Sequence, residues 1–452
     1  MPTPSQLSLA TSYPFAFGHI KVSCFKKFSS GMPRGRGYFY LAEVCYGPVL
    51  IIALNFLIAV LFFYLLANNL YYLLFGAASA FAGRKATRLV TEKRHRIAVF
   101  IPAYKEDGVI VPVARKALEQ DYPQEHFTVA VIADSLQEET LAKLRELPIE
   151  TVVVSFEKST KSKALREGMK ALGEDYDIAL ILDADNIMAR DFLSKVNQAF
   201  ADGYEVVQGH RTAKNLDTHY AVLDAASEEI NNSLFRKGHR ALGLSSGLIG
   251  SGMAFRYALF KDFMHAVGGF DKELELKLNR EKVTIEYLND AFVYDEKVQN
   301  KEIFEQRRRR WLSAQMVYLR RFFFKAVGEL FRSGNIGFFD KAWQMTQPPR
   351  VIALGGTAFL WLLSGLLSLT LRNISGLNFM RFDYWSINFA AIVLALAFAL
   401  PRRMYNAKLL RAVGALPQAI VTMFLLLFKL KGANEKYIHT KHQHVDEDLP
   451  KV

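Results

Sequence analysis

Charged residues vanish from the chain in three places. Residues 44–83, 351–371 and 384–400 contain no Asp, Glu, Lys or Arg, whereas 84–350 carries both signs throughout. A helix rises about 1.5 Å per residue, so roughly 20 apolar residues cross a hydrocarbon core about 30 Å thick. The first two segments reach that length and the third just does. About three crossings of an integral, multi-pass membrane protein are therefore expected. A last apolar run, 412–428, is interrupted by Pro417 and Gln418 and ends in Lys429-Leu430-Lys431. That pattern favours a helix lying in the interface, with a fourth crossing as the alternative.

Within 84–345 the pattern changes to short apolar runs alternating with helical stretches. Strands are expected at 97–103, 127–133, 151–155 and 178–182, with helices ending near Gln120, starting near Glu138 and covering 162–171. Strands at this spacing with helical crossovers imply a mostly parallel, right-handed α/β sheet, Rossmann-like in kind. Ligands of such sheets bind outside the carboxyl ends of the strands. Further on, Trp311, Leu312, Met316, Leu319, Phe322 and Phe323 recur at helical spacing among arginines. This predicts an amphipathic interface helix near 303–334. The expected organisation is a disordered leader (1–43), a transmembrane anchor (44–83) and an α/β domain (84–345). Two transmembrane helices (346–401) and an interfacial helix with a polar tail (402–452) complete it.

Charge orients this arrangement. The chain has 57 Lys and Arg against 44 Asp and Glu, a net +13. The excess gathers beside the apolar segments, at Arg84, Lys85, Arg88, Lys93, Arg94 and Arg96, and again at Arg402, Arg403, Lys408 and Arg411. Basic flanks of this kind mark the cytoplasmic side of a bacterial-type plasma membrane and the anionic lipid there. The domain is thus expected in the cytoplasm, and nucleic acid is not an expected partner. Cys24 and Cys45 form neither a disulfide framework nor a zinc pattern. The N-terminal stretch lacks the compact apolar core of a signal peptide. His439, His442 and His444 stand in a polar tail and read as solvated.

Candidate chemistry sits where the strands end. Asp183-Ala-Asp185-Asn186 follows the fourth strand, and two carboxylates so placed suit Mg²⁺ or Mn²⁺, which take one or two protein carboxylates plus substrate phosphates. Tyr104 and Glu106 follow the first strand, Asp134 the second, and Lys161 and Lys163 the third. Tyr104 can pack on a base, Asp134 can accept from a base or ribose, and either lysine can pair with phosphate. Each also fits an ordinary role as core edge, helix cap or solvated helix start. Their convergence on one sheet edge favours the chemical role.

With these motifs the chain resembles family 2 glycosyltransferases, the membrane group that includes cellulose, chitin and hyaluronan synthases. The matching stretches are Pro102-Ala-Tyr104-Lys-Glu106, Asp134, Lys161, Asp183-Ala-Asp185, Gln208-Gly-His210, Gly250-Ser-Gly252-Met-Ala-Phe-Arg256, Val267-Gly-Gly-Phe-Asp271 and Arg310-Trp311. The resemblance implies a GT-A fold between transmembrane helices, an inverting mechanism, a nucleotide-sugar donor and a divalent metal. Tyr104, Glu106, Asp134, Lys161, Asp183 and Gln208 would then bind the donor, with Asp183 and Asp185 at the metal.

The chain departs from the family pattern twice. Anchoring on Leu274-Glu275-Leu276 puts Glu273 where the family's catalytic base stands, with Asp271 and Glu275 as rivals; a plain acidic helix start is the other reading. In the family's Gln-X-X-Arg-Trp pattern the Gln position is Arg307 here, and Gln306 comes one place early. Arg310 can still hold pyrophosphate and Trp311 can still form an acceptor platform, while processive and single transfer both stay open, because the motif associated with processivity is altered. The expected activity is sugar transfer to a growing polysaccharide or lipid-linked acceptor at the cytoplasmic membrane face. The alternatives are single transfer to a polyprenyl phosphate, or a catalytically silent scaffold subunit.

Overall fold

The computed structural model describes residues 37–83, 86–264, 270–297, 301–370 and 377–428. Most of the expected leader, Arg84 and Lys85, the glycines of the Val267 motif, and the tail with His439, His442 and His444 lie outside the described residues.

Eight strands are described: β1 (Ile97–Tyr104), β2 (Phe127–Asp134), β3 (Glu150–Val154), β4 (Ile178–Ile181), β5 (Ile187–Met188), β6 (Val206–Ala213), β7 (Met253–Arg256) and β8 (Ile285–Asp295). They form one sheet in the order β3-β2-β1-β4-β7-β6-β8-β5. The first four are mutually parallel, β7 runs against both its neighbours, and β6 and β8 are parallel again. This mostly parallel mixed sheet between helices is of the α/β class expected.

The reason lies in β1. Ile97, Val99 and Ile101 face one layer with Val113, Phe192 and Val196, while Ala98 and Phe100 face the other with Leu165, Phe255 and Phe260. Alternate side chains of a strand point to opposite faces, so a strand buried on both must be apolar throughout.

Register then aligns the strand ends. Tyr104 pairs with Asp134, and the helix Lys161–Leu172 opens after β3 with the Thr160 side chain accepting from the Lys163 amide. Leu182 donates to the Phe100 carbonyl and Gly252 to that of Ile181, at 3.0 and 2.9 Å. The loop 250–252 is thereby laid beside Asp183. The turns that end β1 and β2 place Lys105 and Ser135 at φ of 57° and 59°, a left-handed conformation uncommon outside glycine that clusters at functional sites.

Among the described residues, three helices are long and apolar enough to cross a membrane: the part Leu50–Phe81 of the helix Gly37–Phe81, then Arg350–Thr370 and Phe382–Ala399. Ala407–Val413 and Leu416–Leu427 meet at a bend of 50° and add a fourth only if the pair is one span. One continuous helix, Lys301–Ser333, fills the basic amphipathic stretch.

The first apolar helix meets the domain at a π-helical segment, Asn232–Gly238. A Cβ on Gly238 would stand 2.2 Å from the Phe75 carbonyl oxygen. Gly238→Ala is therefore expected to cost about 1–3 kcal/mol by forcing two backbones apart, read as a lower unfolding midpoint of the full chain in detergent.

Candidate active site

The carboxyl edge of the sheet gathers Tyr104, Asp134, Lys161 and Asp183. Tyr104 is half-buried, with the Lys105 ammonium 5.2 Å from its ring. Asp134 is buried and accepts from the Ser135 hydroxyl at 3.0 Å. The Lys161 ammonium donates to Asp183 Oδ1 and, at 2.5 Å, to the Gly250 carbonyl. It also lies 5.6 Å from the ring of Phe270, the first residue of the helix Phe270–Arg280.

That helix carries the three acids competing for the base. Asp271 takes a 2.9 Å hydrogen bond from the Lys272 amide on Oδ1 and turns Oδ2 toward Gly250, 3.6 Å from where a Cβ there would stand. Glu273 is buried on another side, 2.8 Å from Arg321 and 3.3 Å from Lys277. Glu275 is buried too and accepts from the Leu248 amide at 2.8 Å. Of the three, Asp271 borders the Lys161–Asp183–Gly250 group.

Gln208 is fully buried and spends its amide on backbone. It accepts from Ile249 at 3.0 Å and donates to the carbonyls of Ser251 and Gly252 at 2.9 and 3.2 Å. Its place in the site is that of a clamp on the 249–252 loop.

Behind Asp183 lies a buried charge network. Asn186 donates to Asp185 at 3.1 Å and to Asp295 at 3.0 Å, and accepts from Ser251, which takes the Asp183 amide. Lys297 bridges Asp295 and Glu228 at 2.7 and 2.8 Å, and Arg211 reaches Glu228 at 2.9 Å. Burial pushes both carboxyls up, but Arg211 and Lys297 outweigh it, holding Glu228 down to about 2 and Asp295 below the usual carboxylate range. Both acids stay charged at neutral pH, and the network fixes the loop that carries Asp185. No sequence motif marked Arg211, Glu228, Asp295 or Lys297.

Two carboxylates at 183 and 185 fit the small share that Mg²⁺ or Mn²⁺ takes from protein when a diphosphate supplies other ligands. Asp183 accepts a cation already, in the form of the Lys161 ammonium. No group of three or more His, Cys, Asp or Glu side chains suited to a metal gathers among the described residues.

The Arg-rich helix docks by other contacts. Arg308 donates to Asp224 at 3.0 Å and stands 5.0 Å from the ring of Trp311, which is half-exposed. The positive charge of Arg307, the residue at the family's Gln position, adds to that of Arg211 and Lys297 in keeping Asp295 ionised.

Residues 95–314 match the model of the family described as glycosyltransferase like family 2. The chain thus carries a glycosyltransferase family 2-like domain. Among solved structures it is similar to the mannosyltransferase PcManGT from Pyrobaculum calidifontis, which is in complex with GDP-Man and Mn²⁺. Identity is 17%, covering 77% of this chain and 96% of that one, with a TM-score of 0.40. No curated protein matches.

Proposed function

We propose that the chain is a membrane-anchored inverting glycosyltransferase moving a sugar from a nucleotide-sugar to a glycan or lipid-linked acceptor at the cytoplasmic face. The observation that carries this reading is the meeting of Lys161, Asp183, Gly250 and Asp271 at the carboxyl edge, inside the stretch that matches the family model.

Tyr104, Glu106 and Asp134 line the nucleoside side of that edge, and Lys161 offers its charge to the diphosphate. Asp183 and Asp185 would hold Mg²⁺ or Mn²⁺, whose charge would favour departure of the diphosphate. Asp271 removes the proton from the acceptor hydroxyl, a step that needs a carboxylate within hydrogen-bond reach. This replaces Glu273, whose carboxylate is engaged with Arg321 and Lys277. Arg310 and Trp311 keep their proposed places at pyrophosphate and acceptor.

The test is nucleoside diphosphate release from a panel of nucleotide-sugars by the full chain in lipid nanodiscs. One donor should be turned over with Mg²⁺ or Mn²⁺, and EDTA should abolish the release. If every donor is left intact and no nucleoside diphosphate binds, the reading is wrong.

A further inference from the structure

A chain of buried polar side chains runs from the first apolar helix to the edge of the site. The Tyr71 hydroxyl donates to Asp340 Oδ1 at 2.6 Å and lies 2.9 Å from His239 Nε2. His239 is completely buried, with Nδ1 donating to the Leu234 carbonyl at 2.7 Å. Gln344 closes this group by donating to Asp340 Oδ2 at 2.9 Å.

Lys341 follows Asp340 on the same helix, Ile336–Gln344. Its ammonium is buried, 3.8 Å from Glu275 Oε1 and 4.0 Å from Asp340 Oδ2, and neither it nor Glu275 Oε1 makes a hydrogen bond. The other oxygen of Glu275 takes the Leu248 amide and the Lys272 ammonium, each at 2.8 Å. Leu248 stands two residues before Gly250, whose carbonyl holds Lys161.

Buried charges without hydrogen bonds are a poor source of stability, and apolar residues of the same size would often do better. What this arrangement supplies is location. One end is fixed on a helix suited to span the membrane, the other on the loop that borders Asp183 and Asp271.

We propose that Tyr71, Asp340, Lys341 and Glu275 are positioning residues that set the 247–252 loop, and with it Gly250 and Asp271, by the seating of the first apolar helix. Its catalytic consequence rests on the reading given under Proposed function; its structural consequence does not. Two measurements on the full chain in nanodiscs separate them, using Tyr71→Phe and Lys341→Met. Amide hydrogen exchange at 247–252 should quicken by about tenfold in both, as expected when one hydrogen bond or charge contact is lost. In the same variants kcat should fall by about tenfold, because the loop that seats Asp271 is displaced.

Unchanged exchange at 247–252 in Tyr71→Phe overturns the proposal. So does a kcat that survives quickened exchange, or a fall in kcat that comes only with a lower unfolding midpoint. If Lys341→Met does not fold, Tyr71→Phe decides alone, since it removes a single oxygen. If the unsubstituted chain turns over no donor, the glycosyltransferase reading fails while the exchange result still judges the positioning.

Discussion

Asp271→Asn is expected to lower sugar transfer by about 10²–10⁴-fold, the range for removing a general base, while nucleoside diphosphate binding stays as it was. The variant keeps the shape of the side chain and the hydrogen bond from the Lys272 amide to Oδ1. It removes the charge on Oδ2, the oxygen beside Gly250. Glu273→Gln should behave differently. Its carboxylate is buried against Arg321 and Lys277, so the loss falls on stability, at about 1–3 kcal/mol for a group left unsatisfied, and kcat stays near the original. Steady-state kcat and donor KM for both variants check this. Equal kcat for Asp271→Asn and the unsubstituted chain would return the base to another residue.

The difference between these two acids was beyond the sequence for a geometrical reason. Leu274-Glu275-Leu276 anchors the family pattern by counting, but residues two apart on a helix point about 200° apart. Asp271 and Glu275, one turn apart, share a face; Asp271 meets Gly250 and Glu275 meets Leu248. Glu273 turns away to Arg321. Counting can find the helix but not which face meets the loop. The strands that carry Tyr104, Asp134 and Asp183 were legible because burial on both faces demands an unbroken apolar run, ending where the chain meets solvent. The insertion of β7 between β4 and β6 left no comparable trace. Met253–Arg256 is four residues long, and its direction is set by partners such as Ile181 and Gln208 far along the chain. The network of Arg211, Glu228, Asp295 and Lys297 was hidden for the same reason, since charged residues usually read as surface until a fold brings them together. The bend between Val413 and Leu416 falls beside the Pro417 that the sequence marked as an interruption.

Asp185→Asn is expected to weaken Mn²⁺-dependent nucleoside diphosphate binding by more than the roughly 10–100-fold that loss of an outer-shell partner brings, with transfer lost in proportion. Asp185 is 7% exposed, and the amide of Asn186 already holds one of its oxygens at 3.1 Å. A neutral amide can hold that oxygen without cancelling its charge, leaving the carboxylate a hard, anionic ligand for a divalent ion. Asn at 185 keeps the volume and removes the anion, so the unfolding midpoint should hardly move. Asn186→Ala makes the companion measurement. Asn186 joins Asp185 to Asp295 and Ser251, and its loss should weaken Mn²⁺ binding by about 10–100-fold through misplacement of Asp185. Calorimetry with nucleoside diphosphate, with Mn²⁺ and then EDTA, reads both effects without requiring turnover. If Asp185→Asn binds as tightly as the unsubstituted chain in Mn²⁺ and neither responds to EDTA, no ion sits at this pair. The diphosphate would then rest on Lys161 and its neighbours alone.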